Sequence, residues 1–192
     1  MQAFYLPVLN RFTLPARACG ADNGGMETLR FAPSLLALSA AGLLAIAGFE
    51  GYRAAAYDDG ANVQTIGYGT TQYSTGKAVR ANDRITPERA LIELGAAADK
   101  TQQRLARCIR VPLAQREWDA LTSWAYNVGT GAACSSRLVG KLNKGDYTAP
   151  CTELPRWNKA GGRVLGGLVK RRAREAEMYG CNDAPPTTEV EK

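Results

Sequence analysis

The stretch EGYRAAAYDDGANVQTIGYG, residues 50–69, decides how the rest of the sequence is interpreted. It follows an uncharged apolar run and then passes through turn-forming residues between Tyr57 and Asn62. From Val63 to Gly69 it alternates as a short strand that glycines interrupt. The stretch therefore predicts a small, glycine-rich sheet at the point where a helix ends.

Helical patterns dominate the sequence beyond this sheet. One helix is predicted to begin at Thr86, the N-cap residue, with Pro87 in its first turn, and to end before Pro112. Further helices are predicted over 113–128, 135–143, 147–158 and 168–179. The expected fold class is α+β and mostly helical, with a small β-sheet lobe and a helical lobe.

The sequence contains no histidine among its 192 residues. This excludes Ser-His-Asp and Cys-His catalytic sets, as well as zinc sites that need imidazole. We expect no metal and no cofactor. A hydrolase built from this sequence would have to use carboxylates, hydroxyls, thiolates or amines.

The net charge is +6, and residues 50–181 hold 20 basic and 13 acidic side chains. An anionic partner is indicated, which could be nucleic acid, a membrane surface or a cell-wall polymer. The basic run 170–174 lacks the interleaved aromatic residues of a nucleic-acid site. We interpret it as a helix face that caps the domain and meets an anionic wall polymer, and we expect a monomer that does not bind nucleic acid.

Residues 31–49 form an uncharged apolar segment bounded by Arg30 and Glu50. Three interpretations are open: a buried core helix, a cleavable signal peptide, or an uncleaved signal anchor with the domain outside. A core helix at the start of a small domain would have little to pack against. The expected organisation is an extension (1–25, with Met26 as an alternative start), an anchor segment (26–49), a catalytic domain (50–181) and a disordered tail (182–192).

Five cysteines agree with export, because one precedes the apolar segment and four follow it. Four cysteines in an oxidising compartment predict two disulfides. Three pairings are possible, and of these we favour Cys134–Cys151 with Cys108–Cys181.

A pair of carboxylates is the economical solution for glycoside hydrolysis without histidine. Glu50 is the candidate acid, because burial against Phe49 would favour its protonated form. Asp58 and Asp59 follow on a turn that can reach back across a cleft, and Thr65 offers a hydroxyl to hold water. Spacing alone is also compatible with a solvated helix-end acid followed by two turn formers.

The residues of this region resemble the catalytic stretch of phage-type lysozymes, a glycoside hydrolase family. The likeness covers about residues 49–181 in order. It is carried by Glu50-Gly51-Tyr52-Arg53, Ala56-Tyr57-Asp58-Asp59, Gln64-Thr65-Ile66-Gly67-Tyr68-Gly69, Trp118-Asp119-Ala120-Leu121, Tyr126-Asn127-Val128-Gly129, Arg156-Trp157-Asn158-Lys159 and Arg171-Arg172-Ala173-Arg174-Glu175.

The resemblance implies roles for individual residues. Glu50 matches the general acid, Asp59 the second carboxylate and Thr65 the hydroxyl that places the water, in a reaction that inverts the anomeric centre. Asn127 and Tyr68 are the expected substrate-binding residues. The implied substrate is peptidoglycan, cleaved at the β-1,4 bond between N-acetylmuramic acid and N-acetylglucosamine.

The apolar segment resembles the signal-arrest-release segment of some phage endolysins. It implies a domain first tethered to the inner membrane through residues 31–49 and later released to the periplasm. Two alternatives remain open: a lytic transglycosylase that uses Glu50 alone, and a non-enzymatic basic module that binds the cell wall.

Overall fold

The computed structural model describes residues 28–58, 60 and 62–181. Within these ranges most of the chain is helical, and two short antiparallel sheets interrupt the helices. The elements in chain order are α1 (Ala40–Glu50), β1 (Arg53–Asp58), β2 (Gln64–Gly67), α2 (Pro87–Cys108), α3 (Gln115–Val128), α4 (Thr130–Cys134), α5 (Arg137–Leu142), α6 (Ala149–Glu153), β3 (Lys159–Ala160), β4 (Arg163–Val164) and α7 (Gly166–Tyr179). The predicted fold class, α+β and mostly helical, is confirmed. The proposed extension (1–25) and tail (182–192) lie outside the described residues.

The β-lobe is a hairpin in which β1 pairs with β2, with Tyr57 opposite Thr65 and Asp58 opposite Gln64. The sequence predicted β2 but not β1. A small apolar cluster holds the hairpin against the start of α2, and it consists of Ile66, Val79, Ile85 and Ala90.

The helical lobe is built around α3. Trp118, Leu121 and Trp124 recur at helical spacing along α3, and all three are fully buried. The helix α2 begins as predicted, because the Thr86 hydroxyl accepts a hydrogen bond from the Arg89 N–H at 3.3 Å. This long helix joins the β-lobe to the helical lobe and so fixes how the two lobes face each other.

The apolar segment folds onto the domain, and its second half is α1. Ile46 and Ala47 are buried, and they form a cluster with Leu94 of α2, against which Tyr126 of α3 packs. Close approach to α3 depends on Gly42, because a Cβ there would lie 2.9 Å from Cγ of Asp119. The expectation that a helix here would have little to pack against is wrong, since both α2 and α3 receive it.

Residues 30–39 cross the start of α3 and include a short 3₁₀ helix at Pro33–Leu35. Arg30 donates two hydrogen bonds to Glu117, at 2.7 and 3.1 Å, and the backbones of Phe31 and Leu113 exchange a pair of hydrogen bonds at 2.8 Å. None of the helices in the described ranges has the length and apolar character that crossing a membrane requires.

Two disulfides form, as predicted, but the favoured pairing is wrong. The structure joins Cys108 to Cys134 and Cys151 to Cys181, and it does not form Cys134–Cys151 or Cys108–Cys181. The short helix α4, which the sequence did not indicate, brings Cys134 back to the end of α2. The end of α7 returns to α6, which places the two Cα atoms of the second pair 5.3 Å apart.

Candidate active site

Glu50 is the last residue of α1, and its side chain is 24% exposed. The helix ends there because Gly51 follows with a positive φ of 70° and donates its N–H to the Ala47 carbonyl. The turn after β2 comes close, since a Cβ built on Gly69 would lie 3.8 Å from Glu50 Oε2. Glu50 thus stands between the helical part and the β-lobe, with Oε2 towards the β-lobe.

The other oxygen of Glu50 is held by Arg171. Arg171 Nη1 donates to Glu50 Oε1 at 2.8 Å, and its guanidinium lies over the Phe49 ring at 4.7 Å. Arg171 is only 6% exposed, so this ion pair is shielded from solvent on the arginine side. Oε1 is thus occupied by Arg171, whereas Oε2 is the oxygen that lies towards Gly69 and the β-lobe.

Arg171 belongs to a buried group of charges on α7. Glu175 is fully buried, and its Oε1 accepts hydrogen bonds from Ser123 Oγ at 2.8 Å, Arg172 Nη2 at 3.0 Å and Arg171 Nε at 3.1 Å. The interpretation of the basic run as a wall-facing surface is therefore wrong for Arg171 and Arg172. Lys170 and Arg174 of the same run remain exposed.

Asn127 is connected to this group. It is exposed near the end of α3, and its Oδ1 accepts a hydrogen bond from Arg172 Nη2 at 3.0 Å. This bond fixes the orientation of the amide, so that its NH₂ group is the free donor. The structure therefore links Glu50 and Asn127, two predicted site residues, through buried side chains of α7.

Tyr126 of α3 lies within electrostatic reach of Glu50. Burial raises the pKa of Tyr126 to about 12, and the negative charge of Glu50 adds to this effect. Tyr126 also lines a groove of about 270 Å³ between α2 and the β-lobe, together with Gln72, Ser74, Lys100 and Arg104. A larger cavity of about 490 Å³ lies between residues 33–37 and α2, and none of the predicted site residues lines it.

Thr65 and Tyr68 both belong to the β-lobe. Thr65 is buried in β2, and its hydroxyl donates a long hydrogen bond of 3.4 Å to the Val63 carbonyl. Tyr68 is half-buried, with its ring 5.6 Å from that of Tyr52, and it packs against both the β-lobe cluster and the α1 cluster. The proposed water-placing and substrate-binding roles of these residues stay predictions.

The two adjacent aspartates of the sequence, Asp58 and Asp59, have different outcomes. Asp58 Oδ1 accepts hydrogen bonds from the N–H groups of Gly60 at 2.8 Å and Asn62 at 3.2 Å, so Asp58 forms the turn. Asp59, the predicted second carboxylate, lies outside the described residues.

Sequence reasoning missed Arg171 and Glu175 as members of the site. A signal was present, because Glu175 follows Arg171 by four residues and Arg172 by three, the spacings that bring helical side chains together. In the part of the chain that the structure describes, no three His, Cys, Asp or Glu side chains converge as metal ligands would.

The family model and the similar proteins that we compared with this chain point to the same family. A family model described as phage lysozyme matches residues 47–175. An endolysin of Bacillus phage PZA is 38% identical over 144 residues, which are 74% of this chain and 54% of that protein. A SAR-endolysin of Bacteriophage PS119 is 33% identical over 131 residues, covering 68% of this chain and 76% of the relative. The chain spans about half the length of the Bacillus phage relatives it matches.

Solved structures agree with this fold. An endolysin from Escherichia coli O157:H7 phage FAHEc1 superposes with a TM-score of 0.71 at 36% identity, covering 79% of this chain and 98% of the other. The muramidase domain of SpmX from Asticaccaulis excentricus gives a TM-score of 0.69 at 29% identity, covering 78% and 99%. These likenesses cover more than three quarters of the chain, and the family model includes Glu50 at the end of α1.

Proposed function

This chain belongs to the phage lysozyme family, and on that premise we propose that it is an endolysin muramidase acting on bacterial peptidoglycan. The substrate bond is the β-1,4 linkage between N-acetylmuramic acid and N-acetylglucosamine. One observation carries the proposal: Glu50 closes α1 with Oε1 bound by the buried Arg171 and Oε2 turned towards the β-lobe. A carboxyl group held by one oxygen and open at the other is suited to general acid catalysis.

In this proposal Glu50 Oε2 carries the proton that the leaving glycosidic oxygen receives. The second carboxylate is Asp59, and Thr65 orients the water that attacks the anomeric carbon from the opposite face. Asn127 presents its NH₂ group to the sugar, since its carbonyl oxygen is engaged by Arg172. The reaction needs no cofactor, and the enzyme acts as a monomer.

Product analysis separates hydrolysis from the alternative transglycosylase reaction. Purified protein incubated with peptidoglycan is expected to release fragments with reducing ends, because water attacks the anomeric carbon. Mass spectrometry of the fragments before and after borohydride reduction measures this. Products with 1,6-anhydromuramyl ends would contradict hydrolysis, and wall binding without any fragments would favour the non-enzymatic module.

We further propose that residues 31–49 hold the protein at the inner membrane before it is released to the periplasm. Relatives named SAR-endolysins and the uncharged composition of the segment support this. The folded form still exposes large apolar side chains of the segment: Leu35 is 77% exposed, Leu44 62% and Phe31 48%. A bilayer would cover these side chains, at the cost of undocking α1 and separating Glu50 from Arg171.

The membrane proposal predicts that the tethered form is inactive. Cells expressing the full chain would be fractionated, and equal amounts of membrane-bound and released protein assayed for loss of wall turbidity. Activity is expected in the released fraction and in no more than trace amounts in the membrane fraction. Full activity of the protein while it is tethered would show that docking of α1 is not coupled to the bilayer.

A further inference from the structure

We infer that Glu175 is a positioning residue for the reaction, which sets the charge state of Glu50 through Arg171 and the orientation of Asn127 through Arg172. The inference rests on the proposed muramidase function. Glu175 is fully buried and so cannot touch the substrate itself. It acts through the two arginines that lie between it and the cleft.

The donors around Glu175 bind the ionised form of its carboxylate. Oε1 accepts from Ser123 Oγ, Arg171 Nε and Arg172 Nη2, and Arg172 Nε approaches Oε2 at 2.8 Å. Oε1 therefore has three donors, and Oε2 lies beside the positively charged guanidinium of Arg172. Burial raises the pKa of Glu175, while Arg172, Ser123 and Arg171 oppose this effect by binding the anion.

Each arginine connects Glu175 to a different predicted site residue. Arg171 extends from Glu175 to Glu50, with bonds of 3.1 and 2.8 Å at its two ends. Arg172 spans Glu175 and Asn127, with bonds of 3.0 Å to each. One buried carboxylate thus orients both the general acid and the amide expected to bind sugar.

The charges around Glu50 explain why an ionised Glu175 would affect the proposed acid catalysis. Arg171 and Arg172 bring two positive charges beside a site whose acid must hold a proton. Ionised Glu175 neutralises one of them, so that Glu50 does not have to be ionised to compensate both. Without this charge, the two arginines would favour the ionised form of Glu50, which cannot act as a general acid.

The described groups that face these carboxylates are few. Arg171 from α7 and Tyr126 from α3 face Glu50, whereas Arg171 and Arg172 face Glu175. Tyr126 is neutral over the working range, because its pKa is about 12. Among these groups, Glu175 is the anion that balances the arginines when Glu50 is protonated.

The test is the pH dependence of kcat/KM for the variant Glu175→Gln, measured on soluble peptidoglycan fragments. The amide removes the negative charge and places an N–H donor against an arginine. The pH at which kcat/KM falls on the alkaline side is therefore expected to be lower by roughly one pH unit. KM is expected to rise several-fold as Asn127 loses its fixed orientation. Glu175→Asp keeps the charge and should retain the alkaline limb of the unmodified protein even if its rate falls.

Glu177→Gln is the matched control. It makes the same chemical change on the same helix, but in an exposed ion pair with Arg174 at 2.6 Å. Its pH profile and KM should equal those of the unmodified protein. If Glu175→Gln lowers only the melting temperature and leaves the pH limb and KM unchanged, Glu175 is merely structural and the inference fails.

A second variant keeps the test decisive if Glu175→Gln does not fold. Arg172→Gln removes a positive charge, so the alkaline limb should move up while KM still rises. If the alkaline limb of the kcat/KM profile of Arg172→Gln lies at the same pH as that of the unmodified protein, the inference is also overturned. Failure of the proposed function is distinguishable, because the unmodified protein and Glu177→Gln would then release no fragments at any pH.

Discussion

Glu50→Gln is expected to lower the rate of peptidoglycan hydrolysis by about 10³-fold while leaving the fold intact. Glutamine retains an oxygen that can accept the hydrogen bond from Arg171 Nη1, which is 2.8 Å from Oε1. It has no acidic proton to give to the leaving oxygen, so the chemical step loses its acid. Turbidity loss of cell walls measures the rate, and thermal denaturation measures stability.

Glu177→Gln again supplies the control, because it removes an exposed carboxylate of α7 outside the site. It should lyse walls at the rate of the unmodified protein. Undiminished lysis by Glu50→Gln would reject Glu50 as the acid. A loss of activity that follows a collapse in melting temperature would point to structure instead of catalysis.

Ile46→Asp is expected to abolish activity by undocking α1. Ile46 is fully buried, lies one turn before Glu50 and forms a cluster with Leu94 against which Tyr126 packs. An uncompensated carboxylate at this buried position costs on the order of several kcal/mol, which opposes the docking of α1. Once α1 leaves its place, Glu50 no longer meets Arg171, and lysis should fall to the level of Glu50→Gln.

Leu44→Asp is the matched control for this variant. Leu44 lies on the same helix but is 62% exposed, so the same substitution buries no charge. We expect its soluble form to keep lytic activity and a melting temperature close to that of the unmodified protein. Wild-type activity in soluble Ile46→Asp would mean that α1 docking is not what positions Glu50.

Local signals made much of the fold predictable. The N-terminal cap of α2 is formed by Thr86, and Pro87 follows it directly in the sequence. The core face of α3 follows from the spacing of Trp118, Leu121 and Trp124. In each case the information lies within one or two helical turns, which is the range that periodicity can report.

Features that depend on distant partners were missed. The strand β1 contains three consecutive alanines and lacks alternation, so it exists because β2 pairs with it. The disulfide pairing depends on where α4 and α7 return in space, and spacing along the chain does not encode that. The docking of α1 likewise depends on the surfaces of α2 and α3.

The candidate site was predictable in part. The prediction of Glu50 as the acid rests on its place directly after an apolar run, where burial would favour the protonated form, and on its match to the family motif. The basic run predicts a surface position for Arg171 and Arg172, because charged side chains are usually solvated. Which members of the run turn inward is set by Glu175 and Glu50, and Glu50 lies 121 residues away from Arg171.

The most direct test of the central claim is the release of reducing ends from purified peptidoglycan by the full chain and by Glu50→Gln, assayed side by side. If Glu50 on the docked α1 is the general acid of a muramidase, the unmodified protein releases fragments with reducing ends. The variant, with an unchanged melting temperature, then releases about 10³-fold fewer per unit time. Equal release by the two proteins would contradict the account.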